Sequence, residues 1–490
     1  MHKNTIIKIP SPLLSFVPII VLVGLLAVTI RVFDGDTLDG ASQIVLLTAS
    51  AVCCLIAIYH CGTRWQTIET AIINNISGVS SALLILLLIG ALSGSWMVSG
   101  VIPTLIYYGA KIIHPGFFLV TTCIICSLVS VITGSSWTTI ATIGIALFGI
   151  GKVQGFNEGW IAGAIISGAY FGDKISPLSD TTILASSVTG TPLFQHIRYM
   201  MITTVPSMII TLVIFFVAGL THETVSSFEV NEFMDTLSGA YNITLWLLLA
   251  PLIMTILISK KIPPVITLFL SAMAAGVAAL IFQPELLHQI SGSDTLNASS
   301  LFKGLMMTFY DNTQIETGNA ILNELIETNG MSGMMNTVWL IICAMCFGGS
   351  MTASGMLASI TSVFLRFMKR TAGTVSATVA SGMFLNICTA DQYLSIILTG
   401  DMFKNVYKHK GYENRLLSRT IEDGVTVTSP LIPWNTCGMT QSTVLGVSTF
   451  VYLPYCFFNL ISPLMSVIIA VTGYKIVKTI KNQVNCQQLT

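Results

Sequence analysis

The chain has 490 residues, 53% of them hydrophobic and only 9% charged, and its mean hydropathy of +0.80 is that of a protein dissolved in lipid rather than water. Lysine plus arginine equals aspartate plus glutamate at 22 each, which leaves neither a basic surface for nucleic acid nor an acidic tail. No G-x-x-x-x-G-K-[ST] phosphate loop occurs, so ATP-driven transport by this chain alone is not supported and no cofactor is implied.

In chain order, Lys3 and Lys8 precede an apolar run over 13–30. That run is long for the core of a signal peptide and lacks a small-x-small cleavage site, so it reads as a retained first transmembrane helix. Further runs of bilayer length lie at 41–59, 79–100, 197–219, 241–258, 263–282, 336–358 and 449–473. Shorter apolar pieces at 117–133, 137–151, 160–172, 372–388, 391–403 and 415–428 are interrupted by glycine, proline or polar residues, and read as broken helices or re-entrant hairpins. Glu316, Glu324 and Glu327, with Asn319 and Asn323 between them, read as the solvated face of an external amphipathic helix. Two C-x-x-C pairs, Cys123/Cys126 and Cys343/Cys346, sit in apolar runs far apart in sequence, and the seven histidines lack metal-ligand spacing. The cysteines therefore read as packing residues, and no structural metal is expected.

Loop charge sets the orientation, because lysine and arginine accumulate on the cytoplasmic side. Lys260/Lys261, Arg366/Lys369/Arg370, the stretch from Lys404 to Arg419, and both termini, with Lys475, Lys478 and Lys481 in the tail, read as cytoplasmic. The 220–240 loop carries Glu223, Glu229, Glu232 and Asp235 without a lysine or arginine, and reads as external.

An internal repeat organises the rest. Ser99-Gly100 recurs as Ser354-Gly355, Thr133–Ile140 matches Thr389–Ile396, and Ser176-Pro177-Leu178 recurs as Ser429-Pro430-Leu431, in the same order and at nearly constant separation. The helix after the first Ser-Pro-Leu runs toward the acidic loop and the helix after the second toward the lysine tail, so the halves are inverted. Inverted repeats broken at matching places mark a secondary transporter with its site at the interruptions.

The sharpest motif is Gly172-Asp173-Lys174-Ile175-Ser176-Pro177-Leu178-Ser179-Asp180-Thr181-Thr182. Pro177 has no N–H, so a helix here must open and free the carbonyls around Asp173. At helical spacing Asp173, Ser176, Pro177 and Asp180 would share one face. Carboxylates at membrane depth are expensive and default to a functional reading. Asp180, with no adjacent cation, is the first choice for ion or proton coupling; Asp173 either joins it or is neutralised by Lys174. In the second half Asp391, whose counterpart is Ser135, follows Asn386 and Thr389 and precedes Gln392 and Tyr393. Glu422 and Asp423 read either as coupling residues or as the cytoplasmic rim, and they lead to a break at Ser429, Pro430 and Pro433. Asn435-Thr436 reads as the counterpart of Asp180-Thr181. Ser135, Ser136, Ser176, Ser179, Thr181, Thr182, Thr389, Gln392, Ser429, Asn435 and Thr436 would complete the site, with Trp137 and Tyr393 lining it.

At these motifs the chain resembles the NhaC-type Na+/H+ antiporter family. The similarity rests on Gly134–Thr139 with Thr142 and Gly144, on Phe171–Thr182, on Thr389–Tyr393 and on Ser429–Gly438, and spans about 80–470. Ile183 stands where the family pattern suggests a polar residue. The resemblance implies sodium as the coupling ion and exchange against protons, in a family that also holds malate/lactate exchangers.

The expected fold is an all-α polytopic membrane protein of two inverted repeats with broken helices and re-entrant hairpins, with about ten full crossings plus two hairpins. The expected segments are two leading helices (1–78), a first transport repeat (79–220), an external loop with two linking helices and the amphipathic segment (221–335), a second repeat (336–474) and a cytoplasmic tail (475–490). The expected function is sodium/proton exchange across the inner membrane, with sodium- and proton-coupled exchange of a small organic acid as the alternative. The expected partners are the lipid bilayer, sodium and protons. A channel or an intramembrane enzyme is the remote alternative; the latter would need a nucleophile–base or metal pair that the sequence does not offer.

Overall fold

A computed structural model describes residues 9–33, 40–221, 227–315, 317–318, 322–323, 326–366 and 368–476. Among these residues the chain is nearly all helix, the only extended pairing being an isolated bridge between Thr313 and Thr328. With no water to satisfy backbone groups, helices are the economical way to cross lipid. Among the described residues, eight helices are long and apolar enough to do so, or ten if each of two bent pairs counts as one span. The bent pairs are Glu232–Ala240 with Leu245–Ser259 (81°) and Thr449–Tyr455 with Phe457–Thr472 (55°), so the runs at 241–258 and 449–473 are not straight crossings.

The short interrupted pieces form two hairpins. The arms Phe118–Thr133 and Ser136–Val153 meet again at their bases, where Gln154 Nε2 donates to the Ile113 carbonyl at 2.8 Å. The arms Thr371–Thr389 and Gln392–His409 do the same, with the Thr371 and Tyr412 hydroxyls 2.8 Å apart. Each hairpin thus has both ends on one side, and the arms of the first, Pro115–Thr133 and Ser136–Val153, are two of the eight helices of crossing length. After each hairpin comes a broken helix. Glu158–Ile175 stops before Asp180–Thr189, and Asn414–Ile421 continues through a π-turn, Glu422–Thr426, before Thr436–Leu445. The long helix Leu193–Thr221 then closes the first half, and the bent Thr449–Thr472 segment the second.

The two halves match element for element. Ser80–Val98 and Met335–Ala353 both end on a Ser-Gly pair whose glycine, Gly100 or Gly355, is left-handed. Lys404, Arg415, Arg198 and Lys475 gather around one vestibule of 1130 Å³. This places the basic segments of both halves at one end of the molecule, although the termini 1–8 and 477–490, with Lys3, Lys8, Lys478 and Lys481, lie outside the described residues.

The acidic segment near 316–327 is described only in part. Glu316, Asn319 and Glu324 lie outside the described residues. Glu327 accepts from Asn312 Nδ2 (3.2 Å) and Gln314 Nε2 (3.1 Å) beside the Thr313–Thr328 bridge. Leu322, Asn323 and Ile326 just before it are helical, and the exposed Glu327 side chain pins a loop closure at their end.

Candidate functional site

Each hairpin tip is a tight reversal held by the same four hydrogen bonds. In the first half the chain turns through Gly134 (φ 68°), and Ser135 Oγ caps the returning arm by accepting from Thr138 N at 3.2 Å. Thr133 Oγ1 donates to the Ser135 carbonyl (3.3 Å) and accepts from Ser135 N (3.3 Å), and Thr139 Oγ1 donates to that carbonyl at 2.9 Å. In the second half the turn residue is Ala390 (φ 56°), and Asp391 Oδ1 accepts from Leu394 N at 2.8 Å. Thr389 Oγ1 donates to the Asp391 carbonyl (3.0 Å) and accepts from Asp391 N (3.3 Å), and Ser395 Oγ donates to that carbonyl at 2.7 Å. Ser135 and Asp391 therefore occupy one position in one motif, with a hydroxyl in one half and a carboxylate in the other.

The breaks show the same exchange in reverse. Ser179 Oγ accepts from Thr182 N (3.4 Å) and starts Asp180–Thr189; Asn435 Oδ1 accepts from Cys437 N (3.1 Å) and starts Thr436–Leu445. Both half-helices have 10 residues and end on a left-handed glycine, Gly190 or Gly446. Ser179 thus corresponds to Asn435, and Asp180 to Thr436. This corrects the expected pairing by one residue, because the extra length of the second break lies in Ile432-Pro433-Trp434, before the cap.

Two further expectations change. The helix ends at Ile175 and restarts at Asp180, so Asp173, Ser176, Pro177 and Asp180 do not share one helical face. The carbonyls freed at the breaks are also occupied. Thr182 Oγ1 donates to Lys174 O (3.0 Å), Ser176 N to Gly172 O and Asp173 O (3.1 Å each), Asn386 Nδ2 to Val425 O (2.7 Å), Ser429 Oγ to Thr426 O (2.8 Å) and Asn459 Nδ2 to Val427 O (2.7 Å). These carbonyls are taken by side-chain donors and, at Gly172 and Asp173, by the Ser176 N–H.

The tips and the half-helix starts meet at a cavity of 640 Å³. Of the residues singled out from the sequence, Asp173, Asp180, Asp391, Ser135, Ser136, Trp137, Pro177, Thr181, Gln392, Tyr393 and Thr436 line it. Ser176, Ser179, Thr182, Thr389, Ser429 and Asn435 stand behind the wall as caps and carbonyl donors. Pro430 is buried, and its carbonyl accepts from Tyr452 OH at 2.7 Å.

The three cavity carboxylates differ in their partners. Asp173 Oδ2 accepts from both Ser136 N (3.1 Å) and Ser136 Oγ (2.7 Å), tying the first tip to the broken helix. Asp391 Oδ2 accepts from Thr436 Oγ1 at 3.3 Å. Asp180 is exposed to the cavity, and its carboxylate has no hydrogen bond or ion pair to another described residue. Lys261, which sequence reasoning left among the topology markers, is part of the same wall, as is Ile183. The turn between the two linking helices brings Lys261 there, and only its left-handed φ of 59° hints at a tight reversal.

Lys174, Glu422 and Asp423 are not in the cavity. All three are fully buried, so neither carboxylate is solvated. Lys174 pairs with Asp423, 249 residues away, and not with its neighbour Asp173. Arg419, which the sequence marked only as a loop cation, is fully buried beside them. Among the described residues no group of three or more histidine, cysteine or acidic side chains could hold a metal ion.

The sequence profile described as the Na+/H+ antiporter family matches residues 168–474. The chain is similar to the Na(+)/H(+) antiporter NhaC of Bacillus subtilis (strain 168), at 35% identity over 429 residues, 87% of this chain and 90% of that protein. It is equally similar, 35% over 454 residues, to the Malate-2H(+)/Na(+)-lactate antiporter of the same organism, covering 92% of this chain and 94% of that one. A third relative, the Na(+)/H(+) antiporter NhaC of Alkalihalophilus pseudofirmus, is 34% identical over 425 residues, 86% of this chain and 89% of that protein.

Proposed function

This chain belongs to the Na+/H+ antiporter family, and on that premise we propose that it exchanges sodium for protons across the cytoplasmic membrane at the cavity carboxylates Asp391 and Asp180. The observation that carries the reading is that each half contributes one such carboxylate to the wall of a single cavity at the two interruptions. Sodium is a hard cation that takes oxygen ligands. The Asp391 and Asp180 carboxylates, with the Ser135 and Thr436 hydroxyls, supply them without the backbone carbonyls. Asp173 serves as the anchor of the first tip. A carboxylate that holds a proton cannot offer a full charge to sodium, so the two cargoes exclude each other while inverted halves alternate access. The gathering of basic residues around the 1130 Å³ vestibule supports a cytoplasmic position for that end.

One observation favours a second reading. The cavity, at 640 Å³, is far larger than a bare sodium ion requires, and Lys261 is in its wall. A small organic acid could enter with sodium, its carboxylate facing Lys261 and the N-termini of the half-helices. Everted vesicles containing the protein should show sodium-driven proton movement. If that movement occurs without malate or lactate, the first reading holds; if it strictly requires one of them, the second does. No movement under either condition would overturn both.

A further inference from the structure

Four ionisable side chains, Lys174, Arg419, Glu422 and Asp423, are fully buried outside the cavity lining, where charge is most expensive to keep. They come from two broken helices, one in each half. The two acids are not alike. Asp423 Oδ1 receives the Lys174 ammonium, Thr203 Oγ1 (3.0 Å) and Ser462 Oγ (3.1 Å), and Lys174 also donates to Ser462 Oγ at 3.0 Å. Asp423 Oδ1 is thus fully engaged, while its Oδ2 accepts no hydrogen bond. Glu422 is buried to the same degree, yet neither of its carboxyl oxygens accepts a hydrogen bond. The three guanidinium nitrogens of Arg419 donate none either, the nearest acid contact being Nε to Asp423 Oδ2 at 3.9 Å. Buried polar groups are nearly always satisfied, and an orphaned acid beside an orphaned base in one turn of helix needs a reason.

We propose that this cluster is a proton-binding site separate from the cation cavity, with Glu422 as the group that carries the proton. With both acids ionised, two cations balance two carboxylates. A proton from water adds to a Glu422 carboxylate oxygen, forming one O–H bond and leaving the cluster with one net positive charge. Glu422 loses no hydrogen bond in doing so and has no cation on either oxygen, whereas Asp423 already holds the Lys174 ammonium on Oδ1. The other titratable groups packed around the cluster fit this assignment. His196 shares Nδ1 with Ser418 Oγ at 2.8 Å and leaves Nε2 unpartnered, and Tyr407 OH is engaged with Thr378 at 3.0 Å. Tyr199 stands between the cluster and the basic vestibule, its ring centroid 4.8 Å from Arg419 Cζ, and it lines that vestibule. Glu422 also opens the π-turn Glu422–Thr426, a local widening of the kind found at functional positions.

Coupling to the cavity follows from one peptide. Asp173 holds the cavity wall through Ser136, and the next residue, Lys174, holds the cluster through Asp423. A net positive charge left on the cluster therefore opposes a cation in the cavity, and a bound cation opposes protonation of Glu422.

The inference keeps the sodium-for-proton exchange of the antiport reading but moves the proton from the cavity carboxylates to Glu422, and its test is run on protein that shows sodium-driven proton movement. Sodium binding by calorimetry on the purified full chain should weaken from alkaline to mildly acidic buffer. In Glu422→Gln that pH dependence should shrink on the order of tenfold, while sodium/sodium exchange in proteoliposomes persists. Infrared difference spectra should show the protonated-carboxyl band falling when sodium is added to wild type, and that change should be missing in Glu422→Gln. Glu422→Asp, which keeps the acid, should restore it with a shifted pH profile. Wild-type pH dependence in Glu422→Gln, or a full infrared change there that disappears in Asp391→Asn instead, would place the proton in the cavity and overturn the proposal. Loss of sodium/sodium exchange in both Glu422 variants would likewise overturn it, by making the cluster structural. The antiport reading fails separately, on wild-type protein that moves no protons with sodium.

Discussion

The two halves of the molecule share a scaffold and differ in where they keep their charge. At the hairpin tip the first half has Ser135 and the second Asp391; at the start of the half-helix the first has Asp180 and the second Thr436. The carboxylates lie on a diagonal of the pseudo-symmetric arrangement, and each hydroxyl occupies the place of the other half's acid. A symmetric site would hold acids at both tips, at both half-helix starts, at all four positions or at none. Four would repel one another in a medium of low dielectric, and none would leave a cation without countercharge. The hydroxyls and cap bonds preserve the backbone geometry in both halves, so the difference in charge is separable from the fold.

The largest expected effect comes from removing the tip acid. Asp391→Asn keeps an oxygen to cap Leu394 N but offers no full negative charge. Sodium-driven proton movement in everted vesicles should fall to background while the protein still inserts, since a neutral amide is cheaper to bury than a carboxylate. Wild-type exchange in this variant would mean that the diagonal has no functional weight. The same comparison can be sharpened by moving the acid. Ser135→Asp combined with Asp391→Ser restores the total charge but places both acids in the first half, next to Asp173. Exchange should stay near that of Asp391→Ser alone; recovery to wild-type rates would show that only the number of acids matters.

A smaller effect is expected from the hydroxyl that faces the tip acid across the second break. Thr436→Val keeps the shape of the side chain and removes the donor to Asp391 Oδ2. Hydrogen bonds to charged groups are worth about 1.5–3 kcal/mol when both partners are well held. At 3.3 Å and beside an open cavity, the lower end applies. Sodium affinity measured by calorimetry should therefore change by about tenfold, with the acid side of the pH profile displaced.

Much of this arrangement is legible in the sequence, because its determinants are local. The Ser-Gly ends, the Thr-x-Ser and Thr-x-Asp tips and the Ser-Pro-Leu breaks impose their geometry within a few residues, and repetition shows them twice. The partners of long-range groups are not legible. That Lys174 reaches Asp423 rather than Asp173, that Asn386 and Asn459 close the carbonyls of the second break, and that Lys261 reaches the cavity all depend on which helices pack together. Adjacent charges in a sequence invite pairing with each other. On a helix, however, neighbouring residues point about 100° apart, and here one faces the cavity and the other the buried cluster. Asn435-Thr436 was misaligned by one residue for a similar reason, since only the cap bond and the matching glycine ends fix where each half-helix begins.

The smallest effect concerns the turn residue of the tips, where the halves solve one problem with different residues. Both Gly134 and Ala390 are left-handed, at φ 68° and φ 56°, a region that costs an ordinary L-residue about 1–2 kcal/mol. In Ala390→Gly that strain is relieved, but the unfolded chain gains freedom worth about 0.4–1 kcal/mol. The two terms oppose each other, and the melting temperature in detergent should move little, with a slight rise. Gly134→Ala runs the balance the other way and adds a collision, because a Cβ there would lie 2.7 Å from the carbonyl carbon and Cβ of Leu178 and 2.9 Å from its oxygen. Backbone cannot yield as a side-chain tip can, so this variant should lose several degrees and disturb the contact between the first tip and its break. If instead the two reciprocal substitutions shift the melting temperature equally and oppositely, the tips differ only in local strain and the Leu178 contact contributes nothing.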